Sequence, residues 1–236
     1  MFLGHVGLAF AAKRVAPKTS LGTLLLAMNF ADCFWPVFLI LGIESVRIVP
    51  GITRMTPLDF TYPWSHSLLM DAVWAIGFAA LYFAARRYAA GSLVIAAGVL
   101  SHWVLDWISH RPDMPLAPWS QQKYGLGLWN SVAGTIATEL VLFFGGLWLY
   151  LAGTRGKDRT GAFALAAFVV LMLILWIGAV FGPPPPSAKV LQWSALSIWL
   201  TISWAYWIDR HRETRLVTSD CELLIYSLRS VEEHAG

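Results

Sequence analysis

Asp32, His102, Asp106 and Glu139 sit inside stretches that otherwise read as membrane, and His66 and His110 stand at the ends of such stretches. An Asp at the centre of a membrane helix costs roughly 2.5–3.5 kcal/mol on insertion scales, so such groups pair, line a wet cavity or bind an ion. Imidazole and carboxylate are the ligand types that suit zinc and similar divalent ions. Two of them form His102-x-x-x-Asp106, and the i, i+4 spacing puts both on one helix face, about one turn apart. The pattern predicts a metal site embedded in a helical bundle.

The elements that must carry these residues follow from composition. The chain of 236 residues is 57% hydrophobic and 13% charged, against about a quarter charged in soluble domains. The apolar residues come in blocks, which predicts an all-α polytopic membrane protein. Six blocks approach the roughly 20 residues needed to cross a bilayer: 21–43, 66–85, 91–108, 128–152, 162–181 and 190–208. Residues 1–16 are too short to span and read as an N-terminal half-helix that lifts His5 toward mid-bilayer. An integral-membrane domain over 1–208 then holds its site within 1–145, followed by a polar tail at 209–236 with an apolar patch at 223–228. Cys33 falls in a span and Cys221 in the tail, so no disulfide is expected between them.

Positive charge sets the orientation. Lys13, Arg14 and Lys18, then Arg86 and Arg87, then Arg155, Lys157 and Arg159, then Arg210, Arg212 and Arg215 all fall on one side if both termini are cytoplasmic. The loops at 44–65 and 109–127 then face outward from a bacterial inner membrane, and His5, Asp32, His66, His102, His110 and Glu139 converge on one region opening outward. The formal charge of +3 is scattered through short loops and the tail, which argues against a nucleic-acid partner. The apolar run at 2–12 precedes Lys13 and Arg14 instead of following a basic segment, unlike a secretory signal.

Asp32, His66, His102 and Asp106 would complete one four-ligand set, and with Asp106 bridging, His5 could help hold a second ion. Two ions some 3.5–4 Å apart stabilise both attacking and leaving oxygens in a phosphoryl displacement. Ser65, Ser67 and Ser101 flank the histidines and Thr135 lies one turn before Glu139, where their hydroxyls could orient the ligands. Asp71, five residues past His66, faces another way and is left off the ligand set.

The ordered set His5, Asp32, Ser65-His66-Ser67, Ser101-His102-x-x-x-Asp106 and a late Glu139 resembles the bacterial membrane-bound metal-dependent hydrolases, over roughly residues 1–145. More distantly it is similar to the zinc-dependent phospholipase C and zinc nuclease group, all-helical enzymes that hold three zinc ions. The resemblance implies a divalent metal, zinc above all with manganese as an alternative, in one to three ions. It places His5, Asp32, His66, His102 and Asp106 in the first five ligand positions, His110 in the sixth and Glu139 in the last. Thr135 stands where the final histidine of those enzymes would be. Their N-terminal amine is a further ligand, and here it lies four residues before His5.

The function expected is a metal-dependent hydrolase, a phosphoesterase acting on a lipid or lipid-linked phosphate at the outer half of the membrane. Asp32 would be ligand and general base, and Glu139 a ligand or proton carrier. Arg54, Arg111 and Lys123 are the outer cations that could attract phosphate oxygens, with Trp64 in an interfacial tryptophan group. The alternative is a cation or proton transporter using the same cluster. It requires polar residues continuing to the cytoplasmic ends of the spans, where 93–99 and 140–144 are apolar instead. Bis-histidine haem is disfavoured by the interleaved carboxylates, and a scaffold with a structural metal is a further possibility. Oligomeric state is not legible.

Overall fold

The computed structural model describes residues 1–215. The patch expected at 223–228, with Cys221 and His234, lies outside the described residues. Helix α1 (Phe2–Val15) enters first, followed by α2 (Leu21–Met28) and α3 (Phe30–Ile40). A hairpin of β1 (Ser45–Ile48) and β2 (Leu58–Thr61) leads into α4 (Leu68–Arg86) and α5 (Ala89–Ser109). A second short hairpin, β3 (Met114–Pro115) with β4 (Lys123–Tyr124), and a 3₁₀ turn at Leu128–Asn130 precede α6 (Val132–Gly153). Strand β5 (Thr154–Gly156), α7 (Arg159–Phe181), α8 (Ala188–Ala195), α9 (Ile198–Arg210) and β6 (Arg212–Thr214) complete the described chain. All three strand pairs are antiparallel, β5 pairing with β6.

The architecture is the all-α polytopic one, but the expected six spans are not six continuous helices. Helices α4, α5, α6 and α7 are each long and apolar enough to cross a membrane, and α2 with α3 makes a fifth only as a pair bent by 60°. The bend falls at Asn29, whose side chain turns back to the Leu25 carbonyl at 2.9 Å, competing with the helical ladder. Pro36 inside α3 removes the amide that would bond the Asp32 carbonyl. The sixth expected span is also split, into α8 and α9 at Leu196–Ser197. Of the tail expected over 209–236, the described residues show the end of α9 at Arg210 and then β6.

Helix α1 is buried on nearly all sides, packed chiefly against α6 and also against α2 and α5. That contact needs glycine on both helices. A Cβ on Gly7 would run into the Leu142 carbonyl, and one on Gly146 into the Gly7 carbonyl. At the far end, Lys13 donates to Asp209 at 2.7 Å and to the Thr19 carbonyl at 2.8 Å, tying α1 to α9 and to the turn before α2. Between these ends lies a core of Leu3, Phe10, Leu24, Ile95, Phe143 and Tyr150. The outer faces expose Ile76, Leu81, Leu93, Val141 and Phe163, the apolar surface a bilayer would cover.

The chain direction puts the starts of α4 and α6 and the ends of α5 and α7 at one end of the bundle, with the two loop hairpins. Arg86, Arg155 and Arg159 sit at the other end. Replacing Gly146 by Ala should cost about 1–3 kcal/mol through overpacking against backbone. Gly145→Ala, where a Cβ meets nothing within 4 Å, should be neutral. Thermal unfolding of the two variants in detergent checks this, with a lowered Tm for Gly146→Ala alone.

Candidate metal centre

The cluster forms where the first turn of α3, the residues before α4 and the last turns of α5 meet α1. His102, Asp106 and His110 follow one another at four-residue intervals along a single face of α5, with His110 closing the helix as its C-cap. The bend after α2 directs Asp32 from the first turn of α3 toward them. His102 Nε2 lies 3.4 Å from His66 Nε2, 3.3 Å from Asp106 Oδ2 and 3.8 Å from Asp32 Oδ1. His66 Nε2 is 3.4 Å from the same Asp32 oxygen, and His110 Nε2 is 3.8 Å from Asp106 Oδ2. His5 reaches Asp106 Oδ1 at 3.1 Å and stacks on the His102 ring with centroids 4.0 Å apart. The Met1 amine lies against Asp106 and 3.3 Å from His5 Nε2.

The opposite ring nitrogens decide the tautomers. His102 Nδ1 is 2.9 Å from the Met28 carbonyl, which can only accept, so Nδ1 carries the proton. That carbonyl ends α2 at the bend. Ser65 donates its hydroxyl to Glu44 Oε2 at 2.7 Å, leaving its oxygen to accept from His66 Nδ1 at 2.7 Å. Glu44 is held in turn by the backbone amides of Trp64 and Ser65, both at 2.8 Å. Tyr62 donates to Asp113 at 2.7 Å, and His110 Nδ1 stands 2.9 Å from the phenol oxygen and 3.1 Å from Asp113. Burial, then the neighbouring Asp113 charge, pushes the Tyr62 phenol well above its usual range, so it stays a donor.

All three Nδ1 atoms thus face acceptors, which turns the three Nε2 atoms toward one another and toward the carboxylates. This is the arrangement of metal-ligating histidines, whose other nitrogen donates to a carbonyl, hydroxyl or carboxylate. Among the described residues no lysine or arginine side chain pairs with Asp32, Asp106 or Glu139. Two groups could hold an ion, His66–His102–Asp106 and His5–Asp32–His102, each with ligand atoms within 4.8 Å of one another. The donor set fits zinc or a similar divalent ion. Because one lone pair of His102 serves one ion, a second would have to lean on bridging carboxylates.

A cleft of about 270 Å³ opens onto the cluster, with Asp32, His66, Asp106, His110 and Glu139 at its floor and Trp35, Phe60, Trp129 and Trp176 in its walls. Glu139 accepts from the Leu3 amide at 2.6 Å, so it also caps the otherwise uncapped start of α1. Asp32, its side chain 37% exposed, is the open carboxylate, whereas Asp106 is 3% exposed.

The remaining residues singled out by type and spacing lie apart from the ligands, so they are better described by what they touch. Ser101 donates to the Gly98 carbonyl at 2.7 Å, away from the ligands, because its side chain faces back along its own helix. Ser67 is buried with no hydrogen-bond partner among the described residues, and so are both oxygens of Asp71. Thr135 gives its hydroxyl to the Leu128 and Ser131 carbonyls, both at 2.9 Å, tying the 3₁₀ turn to α6 and offering no ligand. Arg111 pairs with Asp59 and, at 3.4 Å, with Asp113, Lys123 is exposed on β4, and Trp64 is exposed; none of the three lines the cleft. Arg54 lines an adjoining groove. Sequence reasoning missed Glu44 and Tyr62, loop residues whose part in the site depends on the hairpin that brings them under His66 and His110.

Ser65→Ala should weaken zinc binding about 10- to 100-fold by freeing His66, read by competition with a fluorescent chelator. Ser101→Ala should leave it unchanged, and equal weakening in both would contradict the assigned orientations.

Among known proteins, no curated protein and no solved structure matches the chain. The model of the YdjM inner membrane protein family matches residues 63–183, just over half of the sequence, from the hairpin's exit through α7 and so including His66, His102, Asp106, His110 and Glu139. The chain is a bilayer protein and belongs to the YdjM inner membrane protein family.

Proposed function

We propose that this protein is a membrane-embedded, metal-dependent phosphoesterase acting on a lipid or lipid-linked phosphate, its cleft opening at the outer half of the inner membrane. The observation that carries the reading is the convergence of the His66, His102 and His110 Nε2 atoms and the Asp32 and Asp106 carboxylates beside an apolar-walled cleft. His66, His102 and Asp106, with Asp32, would hold a divalent ion, most naturally zinc. When bound, such an ion supplies Lewis-acid polarisation of a phosphoryl oxygen and acidifies water.

The protein's own groups divide the remaining tasks. Asp32, the most open carboxylate, is placed to take a proton from water entering by the cleft. Asp106, deep and shared among His5, His102 and the Met1 amine, fixes the ligand rings. Glu139 holds the start of α1 against the cluster. Trp35, Trp129 and Trp176 exclude bulk water and offer an apolar surface to a lipid substrate. Beneath the cluster, Val6, Phe10, Leu24, Val99 and Phe143 are all buried and apolar, which favours a closed pocket over a cation pathway. The basic helix ends at the opposite pole support the orientation with the cleft outward.

The test is hydrolysis by detergent-purified protein of a chromogenic phosphodiester and of short-chain phospholipids. Activity that a chelator abolishes and zinc or manganese restores, and that falls at least 1000-fold in Asp32→Asn, is expected. Turnover of neither substrate class with added metal would overturn the reading.

A further inference from the structure

Beside the cleft runs a second cavity of about 610 Å³, and the two share Met55, Leu58, Val180 and Leu191 as a common wall. One side of this groove is the loop between β1 and β2, and the other is the last turns of α7 with the prolines that follow. Arg54 is the sole ionisable side chain lining it, is exposed, and has no ion-pair partner among the described residues. Arg47 and Arg111, by contrast, are both taken up by Asp59. The Thr53 hydroxyl, which could have helped hold a small anion, is spent on the Thr56 carbonyl at 2.8 Å. Helix α7 is the most apolar of the span-length helices, and its last turn lines the groove through Gly178, Ala179 and Val180. Gly178 leaves the groove floor open there, with nothing within 4 Å of where a Cβ would stand.

A groove with one unpaired cation and a mainly apolar lining, with Thr53 and Thr56 its only other polar side chains, continuous with the cleft over the cluster, matches an amphiphile better than a free phosphate. A free phosphate would find a single charged donor there. We propose that this groove is the lipid-docking subsite, in which Arg54 takes the anionic headgroup of a lipid phosphate and the acyl chain lies over Gly178 of α7. This rests on the reading of the substrate as a lipid phosphate and adds where the lipid is held before it reaches the cluster. Removing the Arg54 charge should weaken lipid binding, and filling the Gly178 notch should do so without disturbing the fold.

The experiment is a native mass-spectrometric titration of the full-length protein in detergent with dioctanoyl phosphatidic acid, in EDTA so that no turnover is required. Arg54→Gln and Gly178→Leu should each lower the apparent affinity about 10-fold, and Arg86→Gln, at the opposite pole, should not. Unchanged affinity in both groove variants, or no lipid adduct on the wild type, overturns the subsite. Displacement of the lipid by an equal concentration of glycerol 3-phosphate overturns its lipid character. Lipid binding that depends on Arg54 in a protein without hydrolytic activity would sustain the subsite while removing the phosphoesterase reading.

Discussion

Three imidazoles held with Nδ1 toward acceptors and Nε2 inward set the terms for everything around them. His66, His102 and His110 each give Nδ1–H to a different kind of acceptor: a serine hydroxyl, a backbone carbonyl, and a tyrosine–aspartate pair. None of these acceptors can be exchanged for a donor without turning the ring. With the rings so oriented, the inward Nε2 atoms and the Asp32 and Asp106 carboxylates gather inside an apolar bundle, where the Met1 ammonium on Asp106 answers only part of the carboxylate charge. In that low-dielectric setting an uncompensated cluster is costly, and a divalent cation is the compensation its geometry suits.

The fold's irregularities serve this constraint. A continuous helix over 21–40 would keep the Met28 carbonyl in its own ladder and carry Asp32 past the cluster; the 60° bend frees the one and aims the other. The β1–β2 hairpin follows α3, and its flanking segments supply Glu44 and Ser65 to one histidine and Tyr62 to another. The Gly7–Gly146 contact lets α1 settle deeply enough for His5 to stack on His102. Glu139 then works at two levels, lining the cleft and capping the helix that brings His5 in.

Much of this is legible in the amino-acid sequence. The i, i+4 pairing on α5 needs only helical periodicity, and the cost of acids in hydrocarbon makes Asp32 and Asp106 conspicuous, so most members of the cluster stand out by type and spacing. What is not legible depends on breaks and long-range contacts. Asn29 gives a weak signal for a bend inside an apolar block, and the split at Leu196–Ser197 lies in an equally apolar run, so two broken helix pairs read as spans. Ser101 has the same flanking position as Ser65, yet a helical serine bonds its own ladder whereas one in a turn, as Ser65 is, can face a neighbour. Arg111 reads as a free cation because the hairpin register that brings Asp59 to it is not encoded in composition, and the separate β3–β4 pairing, with Pro115 opposite Lys123, holds Lys123 on an exposed strand.

The central claim is that the His66–His102–Asp106 group with Asp32 is a cation site, and elemental mass spectrometry of protein purified without chelators tests it most directly. The account predicts about one equivalent of a divalent transition metal per chain in the wild type, lost in His102→Ala while the protein remains folded by circular dichroism. Wild-type protein free of metal, or a His102→Ala variant that keeps its full complement, would contradict it.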